Sequence, residues 1–288
     1  MYLWLMNYNV VIPAYNEEKF ISATLQSLVQ QTVLPQEVVV VDDNSTDNTR
    51  HIIEGFAMQY DYIRLLVNRS EAKHLPGSKV INAFNQGLKH LQKDYDVIVK
   101  LDADLILPNN YFELIVEKFR SDNQVGMVGG EAYIQKDNEW QVERLADKDH
   151  IRGAFKSYRK ACFEQIGGLQ PAMGWDTVDE LLAKYYGWKV EVLPELHVKH
   201  LKPTGAVYDK EARYKQGKAF YRLGYGFWLT LIASVKLAWK KQKPALFWDY
   251  LQGYRKAKQQ QIPLLLTLEQ ARFVRKYRWQ RIKNKIFG

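Results

Sequence analysis

The sequence predicts an α/β protein, a mostly parallel sheet covered by helices and followed by a basic α-helical extension. Three observations predict it. From residue 9 to about 130, apolar runs of strand length alternate with segments of helical periodicity. The strand-like runs are β-branched without polar alternation, as in strands covered on both faces. The positive charge gathers at the end: residues 206–288 hold 19 Lys and Arg against 4 Asp and Glu, or +15. Residues 1–205 hold 22 against 28, or −6, and the two sum to the net +9.

Taken in order, "NVVIPAY" is the first strand, and Ile21, Leu25, Leu28 and Val29 repeat at helical spacing after it. "EVVVVDDNS" is the second strand. In "STDNTRHIIEGF", Ser45 or Thr46 is placed to cap a helix whose inner face is Ile52, Ile53 and Phe56. The pattern continues with strand "IRLLVN", helix 78–92, strand "DVIVKLDAD", helix 110–120 and strand "VGMVGG". Beyond it, "RKACFEQIGGL" reads as a short helix stopped by Gly167 and Gly168, "VDELLAKYYGW" as a helix ended by Gly187, and "WKVEVLP" as a strand. Basic amphipathic helices are expected around 210–222, 227–241, 245–260 and 267–285. The charge break near "HLKPTG" divides the chain into a domain over 1–205 and an extension over 206–288.

A chain of 288 residues can bury a full core, and 47% hydrophobic with 25% charged residues is an ordinary soluble composition. The single cysteine, Cys162, excludes an internal disulfide and fits a reducing compartment as inert packing. The first ten residues are apolar, carry no Lys or Arg and run into a strand, unlike a signal peptide. The apolar run "FWLTLIASVKLAW" is short for a membrane span and is interrupted by Lys236. A cytoplasmic location follows as the expectation.

Ligands of such sheets bind beyond the carboxyl ends of the strands, and four polar constellations lie at such ends. In "PAYNEE" and "VDDNSTDNT", Pro13 and Tyr15 offer an apolar ledge and a ring face, while Asp42 and Asp43 can accept from an N–H. Together they could hold uracil, thymine or guanine; "DDNSTD" also serves as a helix-capping turn. In "VKLDADLILP", Asp102 and Asp104 are two apart, so on a strand both carboxylates face one side. Two such hard donors suit Mg²⁺ or Mn²⁺ shared with substrate phosphates, although Asp before Pro108 and two Asn residues is also ordinary turn chemistry. In "GWDTVDE", Asp176, Asp179 and Glu180 follow Trp175; Asp179 is read as opening a helix, where the dipole favours an ionised carboxylate. Trp175 can stack on a sugar while the acid takes a hydroxyl proton, or the group can be a capping cluster over a core Trp. In "HVKHLKPTG", His197 and His200 face opposite ways if extended, which disfavours a two-His metal site; one of them near the Asp pair could complete a metal shell.

In order and spacing these segments, with "GSKVINAFNQGL" and "IGGL", resemble glycosyltransferase family 2 over about residues 9–205. The resemblance implies a Rossmann-like GT-A (nucleotide-diphospho-sugar transferase) fold and an inverting sugar transfer from a nucleoside diphosphate, UDP favoured, to a hydroxyl of a growing cell-surface glycan or lipid-linked acceptor. It implies nucleotide-binding positions at Pro13, Tyr15, Glu17, Asp42, Asp43, Lys79 and Asp102, metal ligands at Asp104 and His200, and acceptor contact at Trp175. The implied base is Asp179. The family commonly has Glu-Asp where this chain has Val178-Asp179, so Asp176 and Glu180 stand close enough to take that role.

The extension interleaves Lys and Arg with Trp, Tyr and Phe, which suits docking on an anionic membrane surface at the inner face of the cell membrane, or packing on the catalytic domain. Three other functions compete: a non-catalytic sugar-nucleotide binder, a phosphoryl-transfer enzyme with an aspartate nucleophile, and a nucleic-acid binder. The carboxylates after Trp175 speak against the first. The second usually carries its DxD on the first strand, and the third is opposed by the net acidity of the domain that holds the motifs.

Overall fold

The structure, a computed structural model, describes residues 6–68, 78–143, 149–202 and 214–287. By contacts the chain forms two compact units, Met1–Ala172 with Tyr186–Thr204, and Met173–Tyr185 with Gly205–Gly288.

The first unit is built on a sheet. Strand β1 (Tyr8–Ala14) is buried throughout, as are β2 (Glu37–Asp42) and β4 (Val97–Leu101) on either side of it, both parallel to it. Strand β3 (Ile63–Val67) lies outside β2, also parallel. Burial on both faces explains the unbroken Val and Ile runs. Helices α1 (Ile21–Val29), α2 (Thr49–Gln59) and α3 (Ser78–Lys89) supply the cover. Helix α3 lies so close to β1 and β2 that a Cβ on Gly87 would stand 2.5 Å from Val11 Cγ1 and 2.8 Å from Val41 Cγ2. Helix α2 starts later than the sequence predicts: Asn48 precedes it without a side-chain cap, and the Ser45 hydroxyl instead accepts the Asn16 N–H.

Beyond β4 the pairing is mixed. Strand β5 (Leu105–Ile106) and helix α4 (Tyr111–Ser121) come next in the chain, then β6 (Val125–Lys136), β7 (Glu139–Val142) and β8 (Phe155–Arg159). Helix α5 (Lys160–Gln165) ends at Gly167 and Gly168, whose φ values of 78° and 71° are left-handed and suit glycine. The sheet order is β3-β2-β1-β4-β8-β6-β9-β5, where β9 spans Lys189–His200, and β7 pairs β6 off this path. β8 is antiparallel to β4 and β6, β9 is parallel to β6, and β5 is antiparallel to β9. Strands β4 and β5 are consecutive in the chain, yet they stand at the middle and the edge of the sheet. The sheet must therefore curl so that its far edge returns to the end of β4.

The second unit is helical among the described residues: α6 (Trp175–Tyr185), α7 (Lys215–Arg222), α8 (Gly226–Lys240), α9 (Ala245–Gln259) and α10 (Leu268–Phe287). A Cβ on Gly217 would meet Tyr250 O at 1.8 Å and one on Gly253 would meet Tyr214 O at 2.2 Å, so α9 packs backbone to backbone against α7 and its N-terminal flank. Phe220 stacks on Tyr225 and meets Tyr250 edge-on at the centre. The boundary expected at 205 lies outside the described residues. Helix α6, placed with the catalytic domain by the sequence, groups with these helices because Tyr185 packs edge-on against Phe273 of α10 and Lys184 lies over Tyr277.

Candidate active site

The strand order puts a switch point between β1 and β4, since the chain runs outward from β1 through β2 and β3 and then returns to the other side of β1. Open α/β sheets bind ligands in the crevice there. Pairing of β1 with β4 ends at Val11 and Lys100, whereas pairing with β2 continues to Ala14 and Asp42. Pro13, which has no N–H to give, thus sits where the β4 side asks for none.

The loops after β1 and β2 are laced together. Asn16 N donates to Ser45 Oγ, Thr46 N to Asn16 Oδ1, Glu17 N to Thr49 Oγ1 and Asn48 N to Glu18 Oε2, all within 3.1 Å. Asn16 and Asn44 hold φ of 53° and 67°, a region that Asn tolerates better than most residues. The lacing leaves Tyr15 52% exposed, with Lys79 Nζ 5.6 Å from its ring centre. Asp42 and Asp43 are buried. Asp42 Oδ1 accepts the Ser45 N–H at 3.2 Å, and Asp43 Oδ1 accepts from Asn68 Nδ2 at 2.7 Å.

The two aspartates do not share a strand, which corrects the reason given for their common side. β4 stops at Leu101 and β5 starts at Leu105, so Asp102-Ala103-Asp104 is the turn that crosses from the middle of the sheet to its edge. Curling of the edge supplies the neighbour: β5 pairs Leu105 with His200, Leu201 N donates to Asp104 O, and His200 Nε2 lies 3.2 Å from Asp104 Oδ2. His197, three residues earlier, turns away onto Tyr133.

The electrostatics are those of crowded acids. Burial pushes the Glu17 carboxyl up; Lys202, 2.8 Å away, pulls it back, and Asp104 and Asp102 add to the rise. Burial also raises Asp102, against the buried ammonium of Lys100 that it pairs with, and Asp104 raises it further. Burial opposes a charge on His200, but the Asp104 hydrogen bond and the carboxylates of Asp104, Asp102 and Glu143 outweigh it and hold its pKa above the ordinary value. Glu17 Oε2 and His200 Nδ1 are buried without hydrogen-bond partners. Such a set fits a hard divalent cation. Among the described residues no group of three or more His, Cys, Asp or Glu side chains is arranged to enclose one.

The remaining candidates lie on α6, in the other unit. The helix begins at Trp175, with Gly174 at φ 85° before it, so the first-turn carboxylate is Asp176. Asp179 is a turn further in, and the expectation that it opens the helix is corrected. It is 2% exposed, its Oδ1 accepts the Glu180 N–H at 2.6 Å, and Glu180 is buried beside it. Trp175 is 7% exposed, leaving little of its ring for a ligand.

Three residues of the site escape sequence reasoning. Lys100 was visible as the polar residue inside "VIVKL", and Lys202 as a cation beside His200. Asn68 gives no sequence signal, because its bond to Asp43 depends on β3 lying beside β2.

A curled, mixed sheet with a polar crevice at its switch point defines the class as an α/β fold that binds a ligand beyond its strand ends. The chain belongs to glycosyl transferase family 2, whose model matches residues 9–173, more than half of it. It is similar to the poly-beta-1,6-N-acetyl-D-glucosamine synthase of Staphylococcus epidermidis, 24% identical over 276 residues, covering 84% of this chain and 62% of the relative. This chain thus spans less than two thirds of that relative's length. Among solved structures, the mannosyltransferase PcManGT from Pyrobaculum calidifontis, in complex with GDP-Man and Mn²⁺, superposes with a TM-score of 0.58 at 16% identity over 97% of this chain and 81% of that one. S. aureus TarS 1-349 in complex with UDP-GlcNAc superposes with a TM-score of 0.57 at 19% identity over 85% and 72%. These likenesses show the GT-A fold.

Proposed function

We propose that the protein transfers a sugar from a nucleoside diphosphate, UDP in preference, to a hydroxyl of a growing glycan or lipid-linked acceptor, with inversion at the anomeric carbon. The observation that carries this is the Asp102-Ala103-Asp104 turn at the switch point with His200 at 3.2 Å from Asp104. The name of the S. epidermidis relative and the UDP-GlcNAc of the TarS complex support a UDP-sugar and make UDP-N-acetylglucosamine the first donor to try.

Pro13 and Tyr15 receive the base. Asn68 fixes Asp43 through Oδ1, leaving Oδ2 to accept the imide N–H of uracil. Lys79, above Tyr15, and Glu17 and Asp42 complete the nucleotide side, with Asp102 at the ribose. Asp104 and His200 would hold a divalent metal, Mn²⁺ or Mg²⁺, which when bound neutralises charge on the departing diphosphate. Trp175 stands on the acceptor side, and Asp179 takes the hydroxyl proton as the hydroxyl attacks; Asp176 and Glu180 are the neighbours able to substitute. The catalytic machinery thereby draws on residues 1–205, with 206–288 as an extension.

Asp179→Asn tests the assignment of the base. Transfer should fall by about a hundredfold or more while stabilisation by UDP with Mn²⁺ is kept. Unchanged transfer would move the role to Asp176 or Glu180, which Asp176→Asn and Glu180→Gln resolve.

A further inference from the structure

Helix α8 is turned inside out. The residues it buries most fully toward its own bundle include the small Thr230, Ser234 and Ala238, at intervals of four. On the other side Trp228, Ile232, Val235 and Trp239 follow at intervals of four, three and four, which on a helix of 3.6 residues per turn places them in one stripe. All four are exposed, Trp228 at 66% and Trp239 at 81%. Several of them line an open groove of about 780 Å³, with Lys236 and Lys240 at its margin. Phe227 and, on α9, Trp248 are exposed as well. A contiguous apolar stripe of this kind marks an interaction surface rather than ordinary surface scatter.

The charge around the stripe selects the occupant. Between Gly226 and Tyr250 there are four lysines, Lys236, Lys240, Lys241 and Lys243, against one carboxylate, Asp249, a local excess of positive charge. A second copy carries the same excess of positive charge on this face, so it offers these lysines little to complement them. An anionic lipid surface accepts both halves of the pattern: the indole rings settle at the headgroup boundary and the ammonium groups meet the phosphates. Among the described residues no helix is long and apolar enough to cross a membrane, so α8 would lie in the interface plane. We infer that the outer stripe of α8 docks the protein on an anionic membrane surface, through Trp228, Ile232, Val235 and Trp239 with the lysines flanking them. The inference stands apart from what the protein transfers, because it concerns a face that carries none of the residues assigned to donor or acceptor.

Flotation of the full chain with phosphatidylcholine vesicles, with and without phosphatidylglycerol, tests it, and needs no catalytic turnover. The wild type should float with the anionic vesicles and stay behind with the neutral ones. The double variant Trp228→Ser/Trp239→Ser should bind at least about tenfold more weakly with an unchanged melting temperature, and Lys240→Gln/Lys243→Gln should lose affinity in low salt. Equal flotation of the tryptophan variant, equal binding to neutral vesicles, or absence of binding would overturn the inference. So would concentration-dependent self-association of the wild type that the tryptophan variant abolishes while vesicles are ignored.

Discussion

Lys100 is 1% exposed inside a strand of Val, Ile and Leu, where an ammonium is costly unless paired. Its Nζ bonds Asp102 and donates to Gly153 O, so the cation is satisfied and the carboxylate is fixed at the mouth of the site. Lys100 also counters the burial and the Asp104 charge that raise the Asp102 pKa. Lys100→Met keeps the stem and removes the charge, so Asp102 should bind its proton more tightly still. With Asp102 at the ribose as proposed, and binding the donor in its ionised form, the acid limb of the donor-binding pH profile should shift to higher pH, with a stability loss of about 2 kcal/mol. Measuring UDP affinity against pH for both proteins checks this, and superimposable profiles would remove Lys100 from the account. This lysine could be read from the sequence as a polar interruption, but its partner could not, because Asp102 comes within reach only where β4 stops.

The alternation of buried strands and amphipathic helices was legible because each element answers to a local rule: β-branched runs for β1, β2 and β4, helical spacing for α1 and α3, and left-handed glycines after α5 and α6. What escaped was set by pairing at a distance. The two residues of β5 have no signature of their own and exist as a strand because His200 and Lys199 lie opposite them. The start of α6 escaped for a different reason, as Gly174 at φ 85° lets the helix begin at Trp175, ahead of the carboxylates that looked like its cap. The attachment of α6 to α10 carries a prediction. A fragment ending at residue 202 leaves Tyr185 without Phe273, so it should melt at least about 5 °C below the full chain and bind a hydrophobic dye. A fragment that melts with the full chain's midpoint would show that α6 does not depend on the C-terminal helices.

The charge is divided as the elements are, with the acidic turn and its carboxylate neighbours in the sheet unit and the excess of Lys and Arg over residues 206–288. Crowding acids is unfavourable in isolation and becomes favourable when a cation joins them, which is why Glu17, Asp102, Asp104 and His200 make most sense as one half of a site whose other half arrives with the donor. The proposed function separates base recognition, at Pro13, Tyr15 and Asp43, from cation recognition, at Asp104 and His200. The most direct test is a thermal-shift titration of UDP, GDP and dTDP, each with and without Mn²⁺, on the wild type and on Asp104→Ala. The wild type should be stabilised by UDP above the others and only when Mn²⁺ is present, by about 2–3 kcal/mol at a hundredfold excess over Kd, and Asp104→Ala should fold but lose the Mn²⁺ dependence. Mn²⁺-dependent stabilisation by UDP that survives in Asp104→Ala, or no stabilisation of the wild type by any of the nucleotides, would contradict it.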